Sequence, residues 1–317
     1  MNHSRTRGDV LLGNSKIIEV DNLEKSYGDV HAVKGISFYV EERKLFAFLG
    51  PNGAGKSTTV DILCTVLKPD SGTVVIDGNI LGKEDDAIRQ SIGVVFQYGV
   101  LDKTLTVWEN LMFRASLYGL DMASAREAVV RACQLAAVTE IVNRPYGNLS
   151  GGQRRRCDIA RALVHTPKVL FLDEPTTGLD PQTRKRMWDL IIHMKEQLGT
   201  IVFITTHYME EAAQADYVVV IDDGQIVAKG TPLELKEKYA SDRLILVSSN
   251  TSKVVELLRT RGVDFAVNGD KITVALKTSL DALPLLELCK QYLLSFEVVL
   301  GSMDEAFIAI TGKEIRE

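Results

Sequence analysis

Short apolar runs alternate with polar stretches of helical periodicity along the first three-quarters of the chain. The runs predict strands over 16–20, 36–40, 45–49, 73–76, 93–96, 169–172, 201–205 and 217–221. Two of them, 45–49 and 169–172, are apolar throughout, as a strand covered on both faces must be. Asp222-Asp223-Gly224 reads as a hairpin turn leading into a strand at 225–228. Over 122–138 the apolar residues Ala128, Val129, Ala132, Leu135 and Ala136 recur at helical spacing and predict one helix of a helical insert. Helices are also expected over 56–67 and through 157–164. Such alternation predicts an α/β domain with a mainly parallel sheet. The pattern changes after Pro232: a charged connecting helix at 233–240, strand 244–248, helix 253–261, strands 265–267 and 272–276, helix 280–292, strand 296–300, and a last helix at 303–310. That βαββαβ order suits a small ferredoxin-like α+β lobe. The expected organisation is a disordered tail at 1–15, a main domain at 16–235 and an accessory domain at 242–317.

Composition narrows the function without choosing it. Of 317 residues 45% are hydrophobic and 25% charged, which rules out collagen-like, coiled-coil and disordered chains. Lys and Arg number 37 against 42 Asp and Glu, a net charge of -5 that gives no general pull toward nucleic acid or anionic lipid. Cys64, Cys133, Cys157 and Cys289 are too scattered for zinc or redox spacing and suit a reducing compartment as core thiols. No apolar run approaches the roughly 20 residues that span a bilayer, and Val10-Leu11-Leu12 is too short for a secretory segment. The chain is expected to be neither secreted nor membrane-spanning on its own.

Chemistry enters at Gly50-Pro51-Asn52-Gly53-Ala54-Gly55-Lys56-Ser57, followed by Thr58, which fits the phosphate-loop pattern G-x-x-x-x-G-K-[ST]. It follows the apolar strand 45–49 and opens a helix. Glycines let backbone amides approach phosphate oxygens, and the helix start adds donors and positive potential. Lys56 is suited to the β- and γ-phosphates and the Ser57 hydroxyl to Mg²⁺. Asp173-Glu174 ends a second apolar strand, and carboxyl ends of parallel strands share one crevice. Asp173 is thereby expected to hold Mg²⁺ through water and Glu174 to polarise the attacking water; two acids opening a loop is the plain alternative. His207 follows strand 201–206 and reads either as a structural histidine or as a ring beside the γ-phosphate and Glu174.

Leu149-Ser150-Gly151-Gly152-Gln153, together with the two motifs above, resembles the signature sequence of an ATP-binding cassette (ABC) nucleotide-binding domain. The resemblance spans 16–232, with Tyr27, the phosphate loop, Gln97, the signature, Asp173-Glu174, Thr177-Gly178-Leu179-Asp180 and His207 in the family's order. It implies a P-loop NTPase core of ABC type: a mainly parallel sheet, N-terminal antiparallel strands, a helical insert and the small C-terminal lobe. It implies ATP and Mg²⁺ as ligands, Tyr27 stacked on adenine, Gln97 on Mg²⁺, and Asp180 at a subunit interface. In such a family Ser150, Gly151, Gly152 and Gln153 of one subunit cap ATP held by the partner's phosphate loop in a head-to-tail dimer. Arg154-Arg155-Arg156 is expected to be solvated charge or paired with nearby acids. The region containing Leu101, Leu105, Val107, Trp108 and Leu111 lines a groove for a transmembrane partner in the family; packing inside the insert is the better reading for Trp108 and Leu111.

Three stretches, at 155–165, 174–181 and 206–212, resemble drug-exporter ATPases of the daunorubicin-resistance type, as does Ser302-Met303-Asp304-Glu305-Ala306-Phe307. The resemblance implies an ATPase subunit that pairs with itself or a homologue, serves a separate transmembrane permease, binds no nucleic acid, and sits in the cytoplasm on the inner face of the membrane through that permease only. Two other classes stay open. One is an importer ATPase regulated through its C-terminal lobe. The other is a non-transport ABC ATPase, although too few residues separate Lys56 from Leu149 for a coiled-coil insertion.

Overall fold

Two long strands, β1 (Lys16–Tyr27) and β2 (Val30–Glu41), open the chain as an antiparallel hairpin in register from Ile18↔Val40 to Tyr27↔Val30. The hairpin outruns the apolar pattern, because backbone pairing continues past Leu23 through polar residues, with irregularities at Val20/Leu23 and Lys25/Ser26. The computed structural model describes residues 16–312, so the tail expected at 1–15 lies outside the described residues. After β3 (Leu45–Leu49) and α1 (Lys56–Leu63) come β4 (Ser71–Ile76), β5 (Asn79–Ile80), α2 (Asp85–Ser91) and β6 (Ile92–Val95). Helix α1 stops short of the expected residue 67 because Thr65 adopts φ +62, outside helical space. Gly72 of β4 also has a positive φ, and a Cβ there would lie 2.4 Å from the Asn22 carbonyl oxygen; the close approach of β4 to β1 requires glycine.

The helical insert holds α3 (Val107–Ser116), α4 (Met122–Leu135) and α5 (Gly151–Leu163). Helix α3 starts on a Thr106/Glu109 capping box and α4 on the Asp121 side chain. The chain continues with β7 (Val169–Asp173), α6 (Pro181–Leu198), β8 (Ile201–Thr206), α7 (Met209–Ala212), β9 (Tyr217–Asp222), β10 (Gln225–Gly230) and α8 (Pro232–Tyr239). It ends in β11 (Asp242–Ser248), α9 (Thr251–Thr260), β12 (Phe265–Asn268), β13 (Lys271–Leu276), α10 (Ala282–Cys289), β14 (Leu293–Val299) and α11 (Met303–Thr311).

The described residues form two compact bodies. The first comprises 16–46, 52–205 and 223–225. In it β1 pairs with β2 and β4, all antiparallel, while β7 runs parallel to both β6 and β8, with Phe171 opposite Val94 on one side and Phe203 on the other. Every residue of β7 and β8 is buried, as parallel strands covered on both faces require. Phe46, Phe171 and Phe203 pack around one another, with ring centroids 4.8 and 5.1 Å from Phe203. The second body comprises 47–51, 206–222 and 226–312. Strands β9 and β10 are neighbours in it, and the turn joining them has positive φ at Asp223 (46°) and Gly224 (74°), the backbone of a two-residue hairpin.

Also in the second body, β12-β13-β11-β14 form an antiparallel sheet in that order. The elements from β11 to β14 run β-α-β-β-α-β, giving the small α+β lobe. Alternation along β11 points Leu244 and Leu246 inward, where they meet Val254 and Leu258 of α9 and Ile272 and Val274 of β13. Strand β14 begins at Leu293, earlier than expected, and α10 ends correspondingly sooner. Helix α11 buries Met303, Ala306 and Phe307, lies against α7 and α8, and terminates on Gly312 at φ +67. No helix among the described residues is long and apolar enough to cross a membrane.

Candidate active site

The turn after β3 is built for close approach of backbone to an anion. Gly53 and Gly55 take φ +81 and +100, and Gly55 directly precedes Lys56, the first residue of α1. Ala54 is buried and its carbonyl accepts from the Gly224 amide at 3.1 Å, while the Gly55 carbonyl accepts from the Thr59 amide and hydroxyl at 3.0 and 2.8 Å. These bonds fix the turn from behind, and Asn52, Gly53 and Ser57 are exposed while Thr58 is partly so. In the second body the Gly50 amide bonds the Thr206 carbonyl at 3.2 Å, anchoring the strand end that leads into the turn.

Lys56 is only 4% exposed, and its Nζ lies 3.7 Å from Glu174 Oε1. Burial lowers its pKa, opposed by the carboxylates of Glu174 and Asp173. Glu174 holds a left-handed backbone, φ +44, which costs a non-glycine residue roughly 1–3 kcal/mol. Two bonds from its amide impose that conformation, to the Thr205 carbonyl at 3.2 Å and the Thr205 hydroxyl at 3.0 Å. Its Oε2 accepts from the Thr177 hydroxyl at 3.1 Å and from Gln97 Nε2 at 3.4 Å. Asp173, 7% exposed, accepts a short bond from the same Thr205 hydroxyl through Oδ1. The first body therefore brings Lys56, Gln97, Asp173 and Glu174 together. Thr177, named in the sequence only as the start of the Thr177–Asp180 stretch, joins them through its hydroxyl, and Thr205 joins them unannounced; the polar end of the apolar run Ile201–Thr206 is the signal for Thr205.

Arg155 corrects the sequence reading of its arginine run. It is neither solvated nor paired to an acid through a hydrogen bond: it is 7% exposed and donates to the carbonyls of Asp173 (2.6 Å), Pro175 (3.0 Å) and Phe96. The guanidinium thereby ties α5 to the backbone on both sides of Glu174 and to the residue before Gln97. Arg156 instead bonds the Ala137 carbonyl at 2.7 Å from a partly exposed position.

The remaining expected residues occupy separate settings. Ser150 and Gln153 cap α5 reciprocally, Ser150 N to Gln153 Oε1 at 3.0 Å and Gln153 N to Ser150 Oγ at 3.4 Å. Gly151 is exposed, and a Cβ on Gly152 would lie 2.4 Å from Thr183 Cγ2, so glycine there lets α5 approach α6. Asp180 caps α6 through the Thr183 amide at 3.0 Å, and its bonds to Thr183 hold its carboxyl below the ordinary range. Tyr27 is half exposed at the β1–β2 turn. Val107 and Leu111 are fully buried and Leu101 nearly so, whereas Leu105 stays partly exposed. His207 lies in the second body with its ring 4.1 Å from that of Tyr208; the Thr206 hydroxyl beside it donates to buried Glu211 at 2.6 Å.

As a test for Mg²⁺, the donor set is a hydroxyl (Ser57), a carboxamide oxygen (Gln97) and a carboxylate (Asp173), all hard oxygen ligands. Gln97 turns Nε2 toward Glu174, which leaves its oxygen as the acceptor for a cation. The residues fit the ion.

The profile of the ABC transporter family matches residues 33–177. The chain is 39% identical to the daunorubicin/doxorubicin resistance ATP-binding protein DrrA of Streptomyces peucetius over 94% of this chain and 93% of that one. It is 42% identical to the Nod factor export ATP-binding protein I of Burkholderia orbicola over 69% of this chain and 72% of that one. Among solved structures, the dimeric post-hydrolysis state of the ATP-binding cassette MJ0796 bound to ADP and Pi superimposes with TM-score 0.62 at 28% identity, covering 68% of this chain and 98% of that one.

Proposed function

The chain belongs to the family of ABC transporter ATP-binding subunits, and from that premise we propose that it powers export of a substrate through a separate transmembrane permease. It is an ATP-binding, ATP-hydrolysing transport ATPase. The drug-resistance and Nod factor export proteins among its relatives support export over import. In our reading residues 16–235 bind nucleotide, 242–317 are an accessory lobe that stabilises a dimer or docks a partner, and the chain works on the cytoplasmic face of the membrane.

The observation that carries the mechanism is the setting of Glu174: a strained backbone, a carboxylate held between Lys56, Gln97 and Thr177, and Asp173 next to it. The amides of 53–58 and Lys56 bind the ATP phosphates, and Tyr27 stacks on adenine. Ser57, Gln97 and Asp173 would hold Mg²⁺, which when bound would neutralise charge on the phosphates. Glu174, with His207, orients and polarises the attacking water; phosphoryl transfer is then mostly positioning and electrostatics. Ser150, Gly151, Gly152 and Gln153 contact the ATP of a partner subunit, self or homologue, with Asp180 near that interface. The dimeric state of MJ0796 supports this arrangement.

The test is Glu174→Gln. It preserves the hydrogen-bonding shape while removing the base, so ATP binding persists, turnover falls by about 100-fold or more, and ATP-bound dimer accumulates in sizing experiments. Wild-type turnover in this variant removes Glu174 from the mechanism. A chain that stays monomeric in ATP while turnover is blocked removes the shared-site dimer.

A further inference from the structure

The turn that carries Tyr27 is held by an acid from outside the hairpin. Where β1 pairs with β2 the register slips between Lys25 and Ser26, and a slip of this kind re-aims the residues beyond it. Tyr27, the last residue of β1, lies beyond it. The Ser26 amide donates to Asp70 Oδ2 at 2.7 Å, and the Lys25 ammonium donates to Asp70 Oδ1 at 2.7 Å. Asp70 stands just before β4, where its own amide donates to the Glu24 carbonyl at 2.9 Å and Ser71 lies opposite Glu24. Glu24, Lys25 and Ser26 are thus all bonded to one residue in the first body. The bonds from Lys25 and Ser26 hold the Asp70 carboxyl below the ordinary range.

Lys25 is the unusual member of this set. Lysine side chains mostly lie in solvent, yet this one is only 14% exposed. Besides Asp70 it meets Tyr27, with its ammonium over the ring and 5.9 Å from the centroid. A ring has two faces, and a cation on one leaves the other for a flat partner. The same attraction confines the ring, since it is lost when the side chain swings to another rotamer. A half-exposed tyrosine without such support gives up its rotamer freedom when a ligand stacks on it; one already held gives up less.

We infer that Lys25 and Asp70 are positioning residues for the base of the nucleotide: Asp70 fixes the slipped end of β1, and Lys25, held by Asp70, backs one face of Tyr27 so that the other is presented to adenine. The inference rests on the reading that Tyr27 stacks on adenine. The pair acts on the base and not on the phosphates, because the charge of Lys25 is already met by Asp70 and leaves little net attraction for a distant anion.

The test measures the full-length chain with ATP and with inorganic tripolyphosphate, which has the phosphates and no base, both in the presence of Mg²⁺. Lys25→Met and Asp70→Ala each weaken ATP binding by about five-fold, the weight of an exposed cation–π contact or ion pair. KM for ATP rises in step, kcat stays within about two-fold of wild type, and tripolyphosphate affinity does not move. Lys25→Arg, which keeps the cation and a donor for Asp70, restores ATP affinity. In a Tyr27→Ala background Lys25→Met costs nothing further. Lys16→Met is the control: its ammonium lies 4.8 Å from the Tyr39 ring centroid and 3.4 Å from Glu19, the same arrangement in the same sheet, and its loss leaves ATP affinity unchanged. Asp70→Asn, which keeps an acceptor for the Ser26 amide, replaces Asp70→Ala if that variant melts below the assay temperature. Equal losses for ATP and tripolyphosphate overturn the proposal and leave the stacking reading standing. So does a Lys25→Met effect undiminished without Tyr27, or wild-type ATP affinity in both Lys25→Met and the Asp70 variant while Tyr27→Ala weakens it. Wild-type ATP affinity in Tyr27→Ala overturns both.

Discussion

Replacing Arg155 by methionine tests whether one buried cation organises the catalytic strand end. The side chains are of similar length, so the change removes donors more than volume. Three carbonyls, of Phe96, Asp173 and Pro175, lose a charged donor. An acceptor left unmet in the interior costs about 1–3 kcal/mol, against which stands the relief of no longer desolvating a guanidinium. The carbonyl losses win, with a net destabilisation of about 2–4 kcal/mol, or on the order of 10 °C in Tm for a domain of this size. The Asp173 carbonyl belongs to the peptide unit that leads into strained Glu174, so ATP turnover falls below what the lost stability alone explains at a temperature where the variant is folded. Arg156→Met is the control: it forfeits one partly exposed bond to Ala137, worth about 0.5–1.5 kcal/mol. Thermal melts of the two variants, paired with steady-state ATPase at 25 °C, decide the matter. If Arg155→Met melts within about 2 °C of Arg156→Met, the tether has no energetic weight and the account of this arginine is wrong.

Gly152→Ala places a methyl 2.4 Å from Thr183 Cγ2, so it destabilises by about 1–3 kcal/mol, and adding Thr183→Ser, which deletes that methyl, recovers most of the loss in a double-mutant cycle of urea melts. His165 has a folded pKa of about 4 against a reference of 6.5, so the folded state binds fewer protons. Its stabilising contribution is full above pH 6.5 and is lost as pH falls toward 4; urea denaturation at pH 7 and pH 5 should show a steeper loss in wild type than in His165→Asn. A pH dependence that survives the substitution unchanged assigns it to another group.

The sequence made the phosphate loop and the Asp173-Glu174 pair legible because their chemistry demands contiguous residues behind an apolar strand. The parallel strands and the βαββαβ lobe were equally readable from apolar runs and their spacing. What stayed hidden depends on pairing between distant segments. Thr205 reaches both Asp173 and Glu174 only because β7 and β8 align with Asp173 opposite Thr205. Three consecutive arginines look alike in a string, yet each step along a helix turns the side chain by about 100°, which sends Arg155 inward and Arg156 toward the insert. The β1–β2 hairpin was underestimated because its far half is polar and is held by ladder bonds, and β14 because Leu293-Leu294 continues the apolar run of α10 without a change of period.

Lys56 already has a carboxylate within reach, that of Glu174. A phosphate entering the loop must win this ammonium from a resident anion, so substrate capture is an exchange of partners and its free energy a difference between two attractions. The same displacement would unmask the carboxylate just as phosphates settle nearby. Acid–base capability would thus be switched on by the arriving cargo of energy itself, and an idle molecule would keep its most reactive oxygen chaperoned.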